Sequence, residues 1–353
     1  MRENNTIVIN GKTYSPENIR YWADEPFQKE LCDFLMEWFD ESDTIEVQTS
    51  GSTGIPKCMR VSKQRMIQSA RMTCDFLHLQ PSDTALLCMP LQYIAGKMVV
   101  VRAIVGQLNL IVRTPLAFPM EDVDIPLHFA AMTPMQVYNS LQTPAGRERI
   151  NRIDNLIIGG GAIDKRLEED IRPLTNATFS TYGMTETLSH IAMRRLNGDE
   201  ASGLYTPLPG VVVSIADDGT LLIDAPLVAS SQLKTNDIAG LTPDGRFFIK
   251  GRKDNVINSG GIKIQAEEVE AVLQQHTIHC IAATSVPHVG YGEALVLLVE
   301  KEIEPSLNRA IAELIHKYYR PKHLITIDTI PQTPNGKIDR QTLRQLAIRL
   351  TVG

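Results

Sequence analysis

No apolar run in this chain is long enough to span a bilayer: the most apolar stretch, Met98 to Val105, is short and is broken by Arg102. The start, Met1-Arg-Glu-Asn-Asn, leads into no apolar segment, so neither secretion nor membrane insertion is expected. Paired cysteines are missing too. Cys32, Cys58, Cys74, Cys88 and Cys280 are five in number without a CxxC pair, which disfavours a disulfide framework and a zinc site and points to a reducing, cytoplasmic setting. No dense basic block occurs, and 35 Lys and Arg against 41 Asp and Glu give a net charge of −6, so nucleic acid is not an expected partner. Internal repeats and low-complexity runs are absent as well.

What is present suits a globular protein of about two domains: 353 residues, 43% of them hydrophobic. Leu31, Phe34, Leu35 and Trp38 recur at helical spacing within Phe27–Phe39, a packing helix with no chemistry of its own. From Thr44 to about Gly203, apolar runs alternate with helical patterns, and Thr84–Met89, Leu108–Val112, Phe129–Met132, Asn155–Ile158 and Thr178–Thr181 read as strands. The expectation is an α/β fold with a largely parallel sheet in an N-terminal domain, residues 1–250. A β-rich subdomain is expected over about 204–250, with turns at Asp217-Asp218-Gly219-Thr220 and Pro243-Asp244-Gly245. Residues 251–353 are expected to form a smaller, mobile α+β domain. Its helices would lie near Ala266–Gln275, over Ser306–Tyr319 and after Asp339, with strands near His279–Ala283 and Ala294–Val299.

Thr49-Ser50-Gly51-Ser52-Thr53-Gly54-Ile55-Pro56-Lys57 is a run of glycines and hydroxyls ending in a lysine. Backbone N–H groups, hydroxyls and one cation suit a polyphosphate. Pro56 before the lysine and Cys58 after it exclude a Walker A loop. Ser62 is placed to cap the helix that follows. Gly159-Gly160-Gly161-Ala162 ends a strand and taken alone reads equally well as a tight strand-to-helix turn. Lys337, in Pro334-Asn335-Gly336-Lys337, would taken alone be an ordinary solvated turn residue.

Taken together and in order, these segments resemble the adenylate-forming (acyl-CoA synthetase, AMP-binding) superfamily over Thr49 to Lys337. The resemblance implies that Thr49, Ser50, Gly51, Ser52, Thr53, Gly54 and Lys57 hold the β- and γ-phosphates of ATP, with Cys58 where the family usually has glycine. It implies that Gly160, Gly161 and Ala162 lie against adenine. Ser180-Thr181-Tyr182-Gly183-Met184-Thr185-Glu186-Thr187 matches the Y-G-x-T-E motif: Thr181, Tyr182, Gly183 and Met184 would line the nucleotide site, Tyr182 stacking on adenine, Thr185 touching phosphate and Glu186 binding Mg²⁺. Asp237, preceded by Asn236 where glycine is common, and Arg252 would face the ribose. Asp254 would be the pivot of the C-terminal domain, Ser259, Gly260 and Gly261 the loop that meets coenzyme A, and Lys337 the catalytic lysine of adenylation.

The implied reaction joins a small carboxylic acid to CoA through an acyl-adenylate, with ATP and Mg²⁺. The short layout, with the phosphate loop beginning as early as residue 49, and Pro90-Leu91-Gln92-Tyr93-Ile94-Ala95-Gly96 resemble the o-succinylbenzoate–CoA ligases of menaquinone biosynthesis, with Tyr93 and Ala95 replacing the usual histidine and serine. On the helix after that segment, Arg102 and Lys97 could meet a second substrate carboxylate, with Ser189 and His190 beside it; Arg194 and Arg195 are expected to face solvent. A ligase for another aromatic or short acid, an adenylation enzyme loading a carrier protein, and an inactive nucleotide-binding regulator are the alternatives. The sequence does not fix the oligomeric state, a homo-oligomer included.

Overall fold

The computed structural model describes residues 6–48, 58–333 and 337–352. Thr49, Ser50, Gly51, Ser52, Thr53, Gly54 and Lys57 lie outside the described residues. Two compact units divide the chain: Met1–Ile163 with Leu167–Val213 and Ile223–Leu233, and Lys234–Gly353 with Asp164–Arg166 and Ser214–Leu222.

In chain order the first elements are β1 (Ile7–Ile9), β2 (Lys12–Tyr14), α1 (Pro26–Phe39), β3 (Thr44–Gln48), β4 (Cys58–Ser62), α2 (Lys63–Phe76), β5 (Thr84–Leu87), α3 (Ile94–Val105) and β6 (Asn109–Val112). There follow β7 (Leu127–Met132), α4 (Pro134–Leu141), α5 (Pro144–Asn151), β8 (Ile153–Ile158), α6 (Lys165–Ile171), β9 (Ala177–Gly183), β10 (His190–Arg195) and β11 (Thr206–Pro207). The central sheet has the order β11-β10-β9-β8-β7-β5-β6-β1-β2. Strands β9, β8, β7, β5, β6 and β1 run parallel, with antiparallel strands added at both edges. The parallel strands read as near-continuous apolar runs because helices cover them: Leu86, Leu127, Ala130, Met132, Ile153, Leu156 and Ile158 share one core with Val137 of α4 and Leu167 and Ile171 of α6.

Ser62 sits at the N-terminus of α2, yet its hydroxyl makes no capping bond. The Lys63 N–H instead donates to the Asp43 carbonyl, and Lys63 Nζ meets Asp40 at 2.6 Å, so the hairpin beside the helix replaces the expected cap. Helix α4 has its cap in full: Thr133 Oγ1 accepts from the Gln136 N–H, and Gln136 answers at the Thr133 N–H.

Next come β12 (Val212–Ile215), β13 (Thr220–Asp224), β14 (Leu233–Leu241) and β15 (Phe247–Arg252), adjacent in that order in a four-stranded sheet. The remainder comprises β16 (Val256–Ser259), β17 (Ile262–Gln265), α7 (Ala266–Leu273), β18 (Ile281–His288), β19 (Gly292–Glu300), α8 (Pro305–Leu314), β20 (His323–Ile327) and α9 (Arg340–Val352). A sheet ordered β17-β16-β19-β18, with β20 parallel to β19, carries apolar clusters that pack α7 and α8, and α9. Helix α8 ends at Leu314 rather than at the expected Tyr319. Arg320 accounts for the early stop, because its guanidinium donates to the carbonyls of Ala312 and Ile315 and satisfies the helix end.

One half-buried ion pair ties α9 to this unit. Arg340 forks onto Glu270 of α7 at 2.5 and 2.8 Å, and the Ala283 N–H of β18 donates to the same carboxylate at 2.6 Å. Glu270→Gln removes the nearer counter-charge of the guanidinium and leaves it Glu267 at 4.0 Å, and a loss of about 1–3 kcal/mol is expected. Urea unfolding of the full chain, followed by circular dichroism, would show the earliest transition at lower urea. An unchanged midpoint would mean the pair adds nothing.

Candidate functional site

In an open parallel sheet, ligands bind beyond the carboxyl ends of the strands. Three of the segments singled out from the sequence lie there in the first unit: Pro90–Gly96 after β5, Gly159–Ala162 after β8, and Tyr182–Glu186 where β9 ends. Strands β8 and β9 are neighbours, which sets the second and third segments side by side.

The turn after β9 is held by its own side chains. Thr187, fully buried, accepts from the Met184 N–H through Oγ1, which also lies 2.7 Å from the Ser189 carbonyl. Leu188 is forced to φ +65°, a strained value for a branched side chain. Gly183 must lack a side chain, since a Cβ there would come within 2.3 Å of the Ser189 carbonyl oxygen. The result leaves Glu186 exposed, and it pairs with no other described residue. Thr181 spends its hydroxyl on the Ile158 carbonyl at 3.1 Å, joining β9 to the end of β8. Tyr182 is half-buried with its ring 5.8 Å from that of Tyr205, whose hydroxyl bonds Ser180 at 2.9 Å. Tyr205 carries no motif signal in the sequence.

Arg102 of α3 is 2% exposed. Its Nη2 donates to Ser189 Oγ at 2.6 Å and its Nε has no partner. Burial lowers its pKa to about 10, and no carboxylate among the described residues pairs with it. His190 beside it is buried, and burial and the nearby guanidinium push its pKa well below the ordinary value, so the imidazole is neutral.

Lys97 is not part of that cluster. Five residues along a helix is a rotation of about 140°, and Lys97 turns instead to α1 and β3. Its Nζ donates to the Glu46 carbonyl at 3.0 Å, lies 4.0 Å from Glu37 and sits over the Phe34 ring. Burial lowers its pKa while Glu37 and Glu46 oppose the shift. It lines an open groove with Gln48, Cys58 and Gln92. Arg194 and Arg195 do not face solvent as expected but are half-buried: Arg194 forks onto Glu168 at 3.2 Å, and Arg195 bonds the Asn176 and Asn197 carbonyls over the Phe179 ring.

The second unit carries the remaining candidates. Asp237 on β14 pairs directly with Arg252 on β15, their charged groups 3.5 Å apart, and Arg252 also meets Asp254 at 3.2 Å. Asn236 donates to that same Asp254 carboxylate. The Thr333 N–H donates to the Lys337 carbonyl at 2.7 Å. Desolvation and then the Arg252 charge lower the pKa of the Lys337 ammonium, with Asp237 opposing. Lys337, Arg252 and Asp237 therefore share one neighbourhood. The β16–β17 hairpin turns at Gly260 and Gly261, whose φ values of +59° and +83° suit a two-residue turn that only glycine adopts freely. The Gly260 N–H is fixed on the Tyr291 carbonyl. No group of three metal-ligating side chains occurs among the described residues, and no described helix is long and apolar enough to cross a membrane.

A parallel sheet with glycine and Y-G-M-T-E loops at its carboxyl edge, and a unit bearing a cationic turn beside an Asp–Arg pair, define a nucleotide-using α/β enzyme. The chain belongs to the AMP-binding enzyme family, whose model matches residues 5–226. It is 27% identical over 315 residues to 2-succinylbenzoate–CoA ligase of Escherichia coli K12, an alignment covering 84% of this chain and 67% of that protein. A crystal structure of an acyl-CoA synthetase (AMP-forming)/AMP-acid ligase II-like protein from Dyadobacter fermentans is similar at 32% identity and TM-score 0.64, over 92% of this chain and 95% of that one. The fold is also that of o-succinylbenzoate coenzyme A synthetase from Bacillus subtilis, solved with ATP and a magnesium ion (23% identity, TM-score 0.71, covering 84% and 69%).

Proposed function

We propose that this protein is an ATP-dependent acid–CoA ligase acting on 2-succinylbenzoate. The observation that carries the reading is the neighbourhood of Lys337, Asp237 and Arg252, a cation next to an acceptor fit for ribose hydroxyls; the 2-succinylbenzoate–CoA ligases among its relatives support the choice of acid.

In the first half-reaction the substrate carboxylate attacks the α-phosphorus of ATP and pyrophosphate leaves. Two anions must approach, so positive charge has to be held near both. Lys337 bridges carboxylate and α-phosphate, Asp237 and Arg252 hold the ribose, and Tyr182 with Gly160, Gly161 and Ala162 holds adenine. Thr185 meets phosphate, as do residues 49–57. Glu186, exposed and without an ion-pair partner among the described residues, fits a divalent cation, which would neutralise phosphate charge. In the second half-reaction the CoA thiol attacks the acyl carbon and AMP leaves, with Ser259, Gly260 and Gly261 facing the pantetheine arm.

The thiol must reach the acyl carbon where Lys337 stood during adenylation, so residues 251–353 are proposed to turn about Asp254 between the two halves. Asp254→Pro fixes φ near −65° and is expected to uncouple the two rates. Assays of pyrophosphate release and of thioester formation from supplied acyl-adenylate read each rate separately. Wild-type rates in both would remove Asp254 as the pivot.

The function itself is tested by incubating the protein with ATP, Mg²⁺, CoA and a panel of acids, with mass spectrometry of the products. A 2-succinylbenzoyl-CoA mass is expected. A thioester of another acid would revise the substrate alone, whereas adenylate without thioester would direct attention to a carrier-protein thiol.

A further inference from the structure

Behind Arg102 lies a chain of hydrogen bonds whose direction can be worked out from its far end. Thr73 of α2, fully buried, has one hydroxyl hydrogen, and it points to the Ser69 carbonyl at 3.1 Å. Thr73 Oγ1 is also 3.0 Å from His190 Nε2. With the threonine proton on that carbonyl, the contact is completed by an Nε2–H that donates to Thr73 Oγ1. A neutral imidazole protonated at Nε2 has a bare Nδ1, which accepts from Ser189 Oγ at 3.3 Å. The Ser189 oxygen in turn accepts from Arg102 Nη2 at 2.6 Å. With the threonine proton on the Ser69 carbonyl, the path runs in one sense from the Arg102 guanidinium to that main-chain carbonyl.

We propose that Thr73 and His190 are positioning residues for the acid site: through Ser189 they set the plane of the Arg102 guanidinium and the edge it keeps free. The inference rests on the reading that Arg102 meets a second substrate carboxylate. The free edge carries Nε–H, a buried donor with no partner. Among the described residues nothing nearby neutralises the charge, since burial raises the Cys74 thiol to about 11 and His190 is uncharged. A buried cation with a spare donor and no counter-ion is the complement of a carboxylate. Without the Thr73 anchor, His190 is free to take its other tautomer, whose Nδ1–H would turn the serine proton toward the substrate side and release the guanidinium from its fixed plane.

The direct test is nitrogen-15 NMR of the imidazoles in the substrate-free full chain, with the His190 signals assigned by their loss in His190→Gln. A neutral Nε2–H tautomer is expected; an Nδ1–H tautomer or a charged ring at neutral pH would overturn the proposal. Kinetics supply the second arm. Thr73→Val should raise KM for 2-succinylbenzoate roughly 3- to 10-fold, the scale of one buried hydrogen bond, with little change in kcat. Thr73→Ser should restore it, and in an Arg102→Ala background Thr73→Val should add almost nothing. Equal damage toward an analogue lacking the distal carboxylate, or full additivity with Arg102→Ala, would make Thr73 a packing residue. A wild type that does not distinguish the two acids would instead remove the carboxylate reading while leaving the tautomer result intact.

Discussion

Lys337→Ala is expected to slow acyl-adenylate formation by roughly 10²–10³-fold, the scale of losing one preorganised charge at a transition state. The side chain is exposed on its turn, so truncation opens no cavity and the fold should survive. Thioester formation from supplied acyl-adenylate should be much less affected, because that step brings a thiol to an acyl carbon and no longer joins two anions. The environment adds a sign. Desolvation and Arg252 lower the ammonium pKa, so the protonated form is lost at a lower pH than in free lysine. Adenylation should accordingly fall on the alkaline side earlier than an unperturbed lysine would allow. Quenched-flow measurement of the adenylate across pH checks both points; equal loss in the two half-reactions would take Lys337 out of this role.

Arg102→Ala is expected to raise KM for 2-succinylbenzoate roughly 10- to 150-fold, from a charge-assisted contact of about 1.5–3 kcal/mol. The argument is the isolation of this guanidinium: 2% exposed, bonded once to Ser189, unpaired at Nε, with no described carboxylate beside it. A buried charge left in that state is costly, and a substrate anion is the economical explanation for keeping it. KM for ATP should hardly move. An analogue without the distal carboxylate should be poor for the wild type already and should lose little more on substitution. Equal weakening of both acids would make Arg102 part of the scaffold.

Much of this was legible in the sequence, and the exceptions have physical causes. The five central strands appear within a few residues of where β-branched and aliphatic runs placed them, because a strand covered on both faces must be apolar throughout. The β1–β2 hairpin went unread although Asn10-Gly11 between Ile7–Ile9 and Lys12–Tyr14 is a strong hairpin signal; three-residue strands offer too little period to stand out from polar surroundings. The end of α8 depends on Arg320 reaching back to carbonyls, a contact that helical periodicity does not encode. The Y-G-M-T-E turn and the Asp237 and Arg252 positions were readable through their resemblance, in order and company, to a known family's motifs. Thr73 was not. It lies 117 residues from His190, on a helix whose pattern announces only packing, and the fold alone brings its hydroxyl to the ring. Lys97 shows the converse: charge on the same helix as Arg102 suggested a shared role, and the helical rotation separates them.

The most direct measurement is a single turnover with the enzyme in excess over 2-succinylbenzoate and with ATP and Mg²⁺ present, first without CoA and then with it. The account predicts that 2-succinylbenzoyl-adenylate and pyrophosphate form in equal amounts without CoA, and that adding CoA converts the adenylate to thioester with release of AMP. Thioester appearing together with ADP and phosphate, or no adenylate at any time, would contradict it.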